Sequence, residues 1–263
     1  MFDKIQGIVL IADTANFNTK ISLSSNNLEM TDLEQLSILK SALKKLSLNI
    51  YHYSDPKSFT QNLNLHKDHF IFTLWSGQKS RNRRAIIPAI CEGNGIKYLG
   101  GDPYVALICQ DKPLTKAIIN RFELETPEHI IYPIVIDNSI SEHINYPVVV
   151  KPTLEGGSIG ISSDNIATSP AHALKIATKL YELYSQPILI EEFIYGSEVS
   201  ICITGNNSEI HFIEVIEVLF EDSPEYLFNR LYSFEEKKRE VLKAQKRLKI
   251  LLNSFQKKFL IEP

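Results

Sequence analysis

The chain has 263 residues, 44% hydrophobic and 22% charged, with a formal net charge of −3. That is long enough for one large domain or two to three smaller ones, and the composition is that of an ordinary soluble protein. The slightly negative balance argues against a polyanion or an anionic membrane as an obligate partner.

Cys91, Cys109 and Cys202 are far apart and odd in number, which fits neither a disulfide framework nor a metal-spaced cluster. Each lies among apolar residues, so each is expected to be a buried thiol in a reducing cytoplasm. Gly7–Ala12 is a strand-length apolar run with no cleavage site after it, so no signal peptide is read there. No stretch approaches the roughly 18 apolar residues of a membrane span.

Ile5–Ala12 reads as a first buried strand, and the polar Asp13–Asn27 as a long loop after it. Thr31-x-x-Glu34 has the form of a capping box. It opens a helix to about Leu48, with Leu33, Leu36, Leu39, Leu43 and Leu46 at helical spacing. Asn49–Tyr53 and Phe70–Leu74 read as further strands. Alternating strands and helices argue for a parallel sheet, and ligands gather at the carboxyl ends of such strands. That singles out Asp13–Leu23 and Trp75–Arg84. The second segment, W-S-G-Q-K-S-R-N-R-R, carries Lys79, Arg81, Arg83 and Arg84. It is either a solvated basic loop or a recognition site for a carboxylate or phosphate. A helix from about Arg84 to Gly93 follows, then a strand and turn within Gly95–Gly101.

Asp102-Pro103 is an N-cap with proline in the first turn, opening a helix to about Cys109. A second helix, Asp111–Phe122, sets Lys112 and Lys116 four apart on one face, where solvent exposure is the plain expectation. Ile130–Ile136 and Pro147–Lys151 read as strands. In Tyr146–Gly160, Y-P-V-V-V-K-P-T-L-E-G-G-S-I-G, a buried strand Val148–Val150 leads to Lys151 at its mouth. Gly156, Gly157 and Gly160 permit positive φ and close approach by backbone amides. Amides and a lysine at a strand end make an anion site, most often for phosphate. A hairpin loop with a solvated lysine would give the same string.

Ser169-Pro170 opens a helix to about Tyr184, with Leu174, Ala177, Leu180 and Tyr184 on one stripe. Ile188–Ile194 is a strand whose Glu191 and Glu192 face opposite sides, so at least one can meet a partner. After the Gly196-Ser197-Glu198 turn, Val199–Thr204 and Glu209–Phe220 read as an antiparallel pair. From Lys237 to Lys258 there are nine Lys or Arg and one acid, Glu240. Val241, Ala244, Leu248, Leu251, Leu252 and Phe255 make this an amphipathic helix with a solvated basic face. A nucleic-acid or membrane-surface role would want aromatic interleaving, which is missing.

Five motifs stand in order: Asp111-Lys112…Lys116, Val150-Lys151-Pro152, Glu155–Gly160, Glu191-Glu192-Phe193-Ile194 and Gly196-x-Glu198. Together they resemble the ATP-grasp superfamily, most closely the D-alanine–D-alanine ligase group. The resemblance covers roughly Gly95–Lys237, and residues 1–94 by architecture only. It implies an α/β and α+β fold: an N-terminal parallel α/β (pre-ATP-grasp) domain, 1–102, then a two-part ATP-grasp domain. The central subdomain would be 103–187 and the C-terminal subdomain 188–263.

The resemblance also implies roles. Lys116 and Lys151 would hold the phosphates of ATP. Glu155, Gly156, Gly157, Ser158, Ile159 and Gly160 would close over the β- and γ-phosphates. Glu191, with the backbone of Glu192, Phe193 and Ile194, would read the adenine edge, and Glu198 would accept from the ribose hydroxyls. Ser158, Tyr232 and Lys237 would stand at catalytic positions, Tyr232 on a mobile loop and Lys237 at the γ-phosphate. The reaction implied is ATP-dependent amide or peptide formation between a small-molecule carboxylate and an amine. The carboxylate attacks the γ-phosphate to give an acyl phosphate, and the amine displaces phosphate. Such enzymes are commonly dimers, so a cytoplasmic homodimer is expected, with no nucleic acid or membrane involved.

The sequence departs from that group in four places. Asn18 and Lys20 stand where the group has a glutamate for a substrate ammonium. The usually acidic second loop is the basic Lys79–Arg84, and Gly157 replaces a serine. These changes favour a substrate with an extra negative charge near Arg81, Arg83 or Arg84 over D-alanine. Finally, the Arg-x-Asp and Glu-x-Asn strands that bind magnesium in the group have no counterpart up to Phe259–Pro263, where Glu262 is a lone carboxylate. The fold expected is therefore C-terminally shortened, with ATP and Mg2+ as cofactors but metal ligands not found. Two functions follow: an ATP-dependent carboxylate–amine ligase, or a catalytically impaired or inactive ATP-binding remnant of one. A scaffold that kept only the fold would have no need of Lys116, Lys151, Glu191 and Glu198.

Overall fold

Five consecutive buried residues, Gly7–Ile11, form strand β1 at the interior of a parallel sheet. The computed structural model describes residues 6–15, 30–45, 48–77, 80–134, 144–206, 209–217 and 249–250. After β1 come the short strands β2 (Thr14–Ala15) and β3 (Thr31–Asp32), helix α1 (Leu33–Lys44), strand β4 (Asn49–Tyr53), helix α2 (Pro56–Gln61), strand β5 (His69–Thr73), helix α3 (Arg83–Gly93) and strand β6 (Tyr98–Leu99). The sheet order is β4-β1-β5-β6, all parallel. Helices cover both faces, which is why β1 is apolar throughout rather than alternating. Val9 and Ile11 pack with Phe59, Ile71, Ile87 and Cys91 on one side; Leu10 and Ala12 pack with Leu36 on the other.

The chain continues through helices α4 (Pro103–Gln110) and α5 (Lys112–Asn120), strands β7 (His129–Tyr132), β8 (Val148–Pro152) and β9 (Ile166–Ala167), helix α6 (Pro170–Tyr184) and strand β10 (Ile188–Glu192). These strands form an antiparallel sheet, order β7-β10-β8-β9. Helix α6 lays Ala173, Ala177 and Leu180 against Val148, Val150, Ile188 and Ile190. Strand alternation therefore turns Val149 and Lys151 of β8, and Leu189 and Glu191 of β10, to the face away from α6. The predicted caps form: Asp102 accepts from Val105 N at 2.8 Å and Ser169 from His172 N at 3.3 Å. A hairpin of β11 (Val199–Asn206) and β12 (Glu209–Glu217) completes the described chain, with β13 (Lys249–Ile250) paired antiparallel to β12.

Several expectations are corrected. Helix α1 begins at Leu33, because Thr31 is spent on a strand pair with Thr14, so Thr31 is not its N-cap. Of its leucines, Leu36 is buried while Leu33 is exposed, since α1 touches the sheet along a narrow stripe. Cys91 is buried, and burial pushes its thiol up to about 12. Cys109 and Cys202 are exposed instead, one on α4, which buries no residue, the other on the open β11 hairpin. Lys249 and Ile250 are strand, not helix, drawn to the edge of β12; the rest of the expected 237–258 helix lies outside the described residues. Helix α2, capped by Asp55, was not expected from the sequence.

Candidate functional site

The glycine-rich loop leaves β8 at Pro152 and has positive φ at Gly157 (61°), Ser158 (62°) and Gly160 (74°). At Gly160 a side chain is also sterically barred, since a Cβ would lie 2.8 Å from Pro152 Cγ. The root of this loop is fixed from three directions. Lys112 on α5 donates Nζ to Pro152 O at 3.1 Å, to Thr153 O at 3.3 Å and to Glu155 O. Arg83 on α3 donates Nη2 to Leu154 O at 2.7 Å and to Glu155 Oε2 at 3.2 Å. Gln186, just after α6, donates Nε2 to Glu155 Oε1 and accepts from Leu154 N, both at 2.7 Å. Asn165 closes the far end by donating to Val150 O and Gly160 O, each at 2.7 Å. Gly156 and Gly157 at the tip remain exposed. A loop held at its root and open at its tip can present backbone amides at little ordering cost.

Beside this loop lies a charge cluster. Lys116 Nζ on α5 is 3.0 Å from Glu191 Oε2, and Lys151 Nζ contacts Glu191 Oε1. The register explains the second contact: Lys151 opposes Leu189 and Glu191 opposes Val149, so the two charges are diagonal neighbours on one face. The side chains of Lys116, Lys151 and Glu191 are 9%, 20% and 12% exposed. Burial alone would raise the Glu191 pKa, but Lys151 and Lys116 together outweigh it and hold the carboxyl below its ordinary value. His129, opposite Glu191 on β7, is held below its ordinary value by burial and then by Lys116. Two lysines against one carboxylate leave the cluster net positive, which suits an anion.

The structure brings Lys116, Lys151, Glu191 and the Glu155–Gly160 loop together. Glu192 points elsewhere: its Oε1 accepts from Asn145 N at 2.9 Å and Asn145 Nδ2 at 2.7 Å. The Glu192 and Phe193 amides donate to Glu128 O and Pro147 O at 3.0 and 2.9 Å, which narrows what this segment can offer a base. Ile194 and Glu198 are exposed ahead of β11. The three arginines separate. Arg81 is exposed, 3.9 Å from Asp111 Oδ2. Arg83 is buried and committed to the loop root, a correction to its expected role at a substrate anion. Arg84 lines a cavity. Asn18, Tyr232 and Lys237 lie outside the described residues.

Lys112, expected in solvent, and Gln186, not singled out at all, turn out to secure the loop. Their one signal was position: Lys112 shares a helix face with Lys116, and Gln186 follows the helix that packs beneath the loop. Asp13 is a third such residue, its carboxylate accepting from Ser76 N at 2.9 Å and Gly77 N at 3.1 Å. It ties the loop after β1 to the loop after β5. Among the described residues no group of three or more His, Cys, Asp or Glu side chains could hold a metal ion.

The family model described as "D-ala D-ala ligase C-terminus" matches residues 122–261, more than half of the chain. A D-alanine–D-alanine ligase of Pelagibacter ubique is 30% identical over 197 residues, 72% of this chain and 62% of that protein. The vancomycin/teicoplanin A-type resistance protein VanA of Enterococcus faecium is 30% identical over 132 residues, 50% of this chain and 37% of that one. The chain thus spans 37% to 62% of the length of these two relatives. Among solved structures, the D-alanine–D-alanine ligase of Bacillus anthracis complexed with ATP superposes with a TM-score of 0.60 at 19% identity, covering 91% of this chain and 75% of that one. The VanG D-Ala:D-Ser ligase of Enterococcus faecalis gives 0.56 at 16% identity, covering 81% and 69%. The fold, the glycine loop and the match over 122–261 agree: the chain belongs to the D-alanine–D-alanine ligase C-terminal family of ATP-grasp proteins.

Proposed function

We propose that this chain binds ATP and acts as a carboxylate–amine ligase, forming an amide or peptide bond through an acyl phosphate. The observation that carries the reading is the Lys116–Glu191–Lys151 cluster beside a root-anchored glycine loop. Lys116 and Lys151 hold the phosphates as point charges, while Glu191 holds both lysines in place and presents a carboxylate to the adenine edge. The Gly156–Gly160 amides cover the terminal phosphates. Glu198 meets the ribose. The protein's work is positioning and charge stabilisation, not nucleophilic catalysis. The acid in this reading carries a negative charge toward the Arg81–Arg84 segment, and residues 1–102 form the substrate-side domain.

Thermal unfolding with and without ATP tests the binding step. A ligand at 100 times its Kd stabilises by about 2.7 kcal/mol, so a clear upward shift in Tm is expected. ADP release on adding carboxylate and amine panels with magnesium tests the reaction. Absence of any ATP shift overturns the reading. A shift without ADP release under any panel assigns the chain as an ATP-binding remnant.

A further inference from the structure

Tyr184, the last residue of α6, buries its hydroxyl with no hydrogen-bond partner among the described residues. Its ring packs onto the core that α6 shares with β8 and β10. The same ring lies under the glycine loop. A Cβ built on Gly160 would stand 3.1 Å from Tyr184 Cε2, so the far end of the loop sits directly against the ring. The near end is felt as well. Burial, then the negative charge of Glu155, pushes the phenol up to about 12, so the hydroxyl stays neutral and remains a donor. Gln186, two residues further on, already bonds Glu155 and Leu154. The end of α6 thus sets two polar side chains against the loop, one satisfied and one not.

A buried donor without an acceptor costs stability, and phenylalanine would fill the same space without that cost. The acceptor it lacks follows from peptide geometry. In a trans peptide unit the N–H and C=O point in opposite directions. Loop amides that turn outward to an anion therefore turn their carbonyls inward, toward the ring beneath. We infer that Tyr184 is a positioning residue of the glycine loop, its hydroxyl donating to a loop carbonyl once the loop amides have turned onto a bound phosphate. The inference rests on the reading of this loop as the phosphate site of ATP. Tyr146 provides the contrast. It too buries an unpartnered hydroxyl, but it precedes β8, whereas the loop follows that strand.

Tyr184→Phe and Tyr146→Phe are compared with the wild-type chain by thermal unfolding and by calorimetric titration with ATP. Tyr184→Phe should raise the Tm of the free protein by about 2–4 °C, because an unsatisfied donor is removed. It should also weaken ATP binding by about tenfold, because the bound state loses a hydrogen bond. Stability and affinity then move in opposite directions, which a tyrosine serving the core alone would not produce. Tyr146→Phe should leave ATP affinity unchanged. No gain in Tm for Tyr184→Phe means that its hydroxyl is already satisfied in the free protein, and overturns the inference. An equal affinity loss in Tyr146→Phe overturns it too. Full-strength ATP binding by Tyr184→Phe sinks the inference and leaves the ATP reading standing; no ATP binding by the wild-type chain sinks both.

Discussion

In the parallel sheet, β1 contributes five buried residues and no charge, whereas in the antiparallel sheet β8 and β10 carry Lys151 and Glu191 into a half-buried face. Helix coverage accounts for the contrast. With both faces covered, the parallel sheet has no room for polar side chains on β1, so its chemistry moves to the loops beyond the strand ends. Asp13 is there, bonded to Ser76 and Gly77. The antiparallel sheet has α6 on one face, and its other face is free to hold charges on the strands themselves. The first arrangement spends polar groups on holding loops. The second stores charge.

The largest effect should come from breaking the stored charge. Glu191→Ala leaves Lys116 and Lys151 buried without their shared partner, and removing one member of a buried pair costs about 3–5 kcal/mol. Urea unfolding should show that loss; a change within about 0.5 kcal/mol would mean the cluster is not held as described. Arg83→Met comes next. It removes charge-assisted hydrogen bonds to Leu154 O and Glu155 worth about 1.5–3 kcal/mol. Because it acts on the loop root, it should weaken ATP binding as well as stability. Asp13→Ala should cost about 1–3 kcal/mol by leaving the Ser76 and Gly77 amides unsatisfied. It should leave ATP affinity alone, because it loosens the other sheet's loops. Equal effects of Arg83→Met and Asp13→Ala on ATP affinity would erase the contrast between the sheets.

The smallest effect is in pH. His66 is buried, with Nδ1 3.2 Å from His69 Nδ1 and Nε2 2.7 Å from the Tyr53 hydroxyl. Burial, then the charge on His69, holds it below its ordinary 6.5. The unfolded chain therefore binds this proton first. Stability is full above 6.5 and falls as pH drops from there toward the folded value. Glu191, also depressed, acts lower: its contribution is present above its ordinary 4.5 and is lost as pH falls through its folded value. His129 adds to the upper window. The stability difference between wild type and His66→Gln should change with pH just below 6.5 and stay constant above it.

Much of this was legible in the sequence. Apolar runs gave β1 and β8, and Asp-Pro and Ser-Pro pairs gave the starts of α4 and α6, because caps and periodicity are local. The ordered lysines, glycines and glutamates marked residues that the fold brings together, Lys116, Lys151, Glu191 and the glycine loop. What stayed hidden was long-range. Arg83 and Arg84 are adjacent and chemically identical, yet one is sealed under a loop 71 residues on while the other lines a cavity. No local pattern distinguishes them, since the direction each faces depends on where α3 meets the loop. Lys112 was similarly misplaced in solvent, because its partners are backbone carbonyls some 40 residues later. The Cys109 and Cys202 exposures show the same limit: apolar neighbours in sequence do not ensure burial in space.

The most direct test is calorimetric titration of ATP into the wild-type chain and into Lys151→Ala. The proposed contact of this lysine with phosphate, as a charge-assisted hydrogen bond worth about 1.5–3 kcal/mol, predicts saturable binding by wild type and an affinity loss of about tenfold to more than a hundredfold in the variant. Unchanged affinity in Lys151→Ala, or no binding by wild type, would contradict the assignment of this loop and its lysines to the phosphates of ATP.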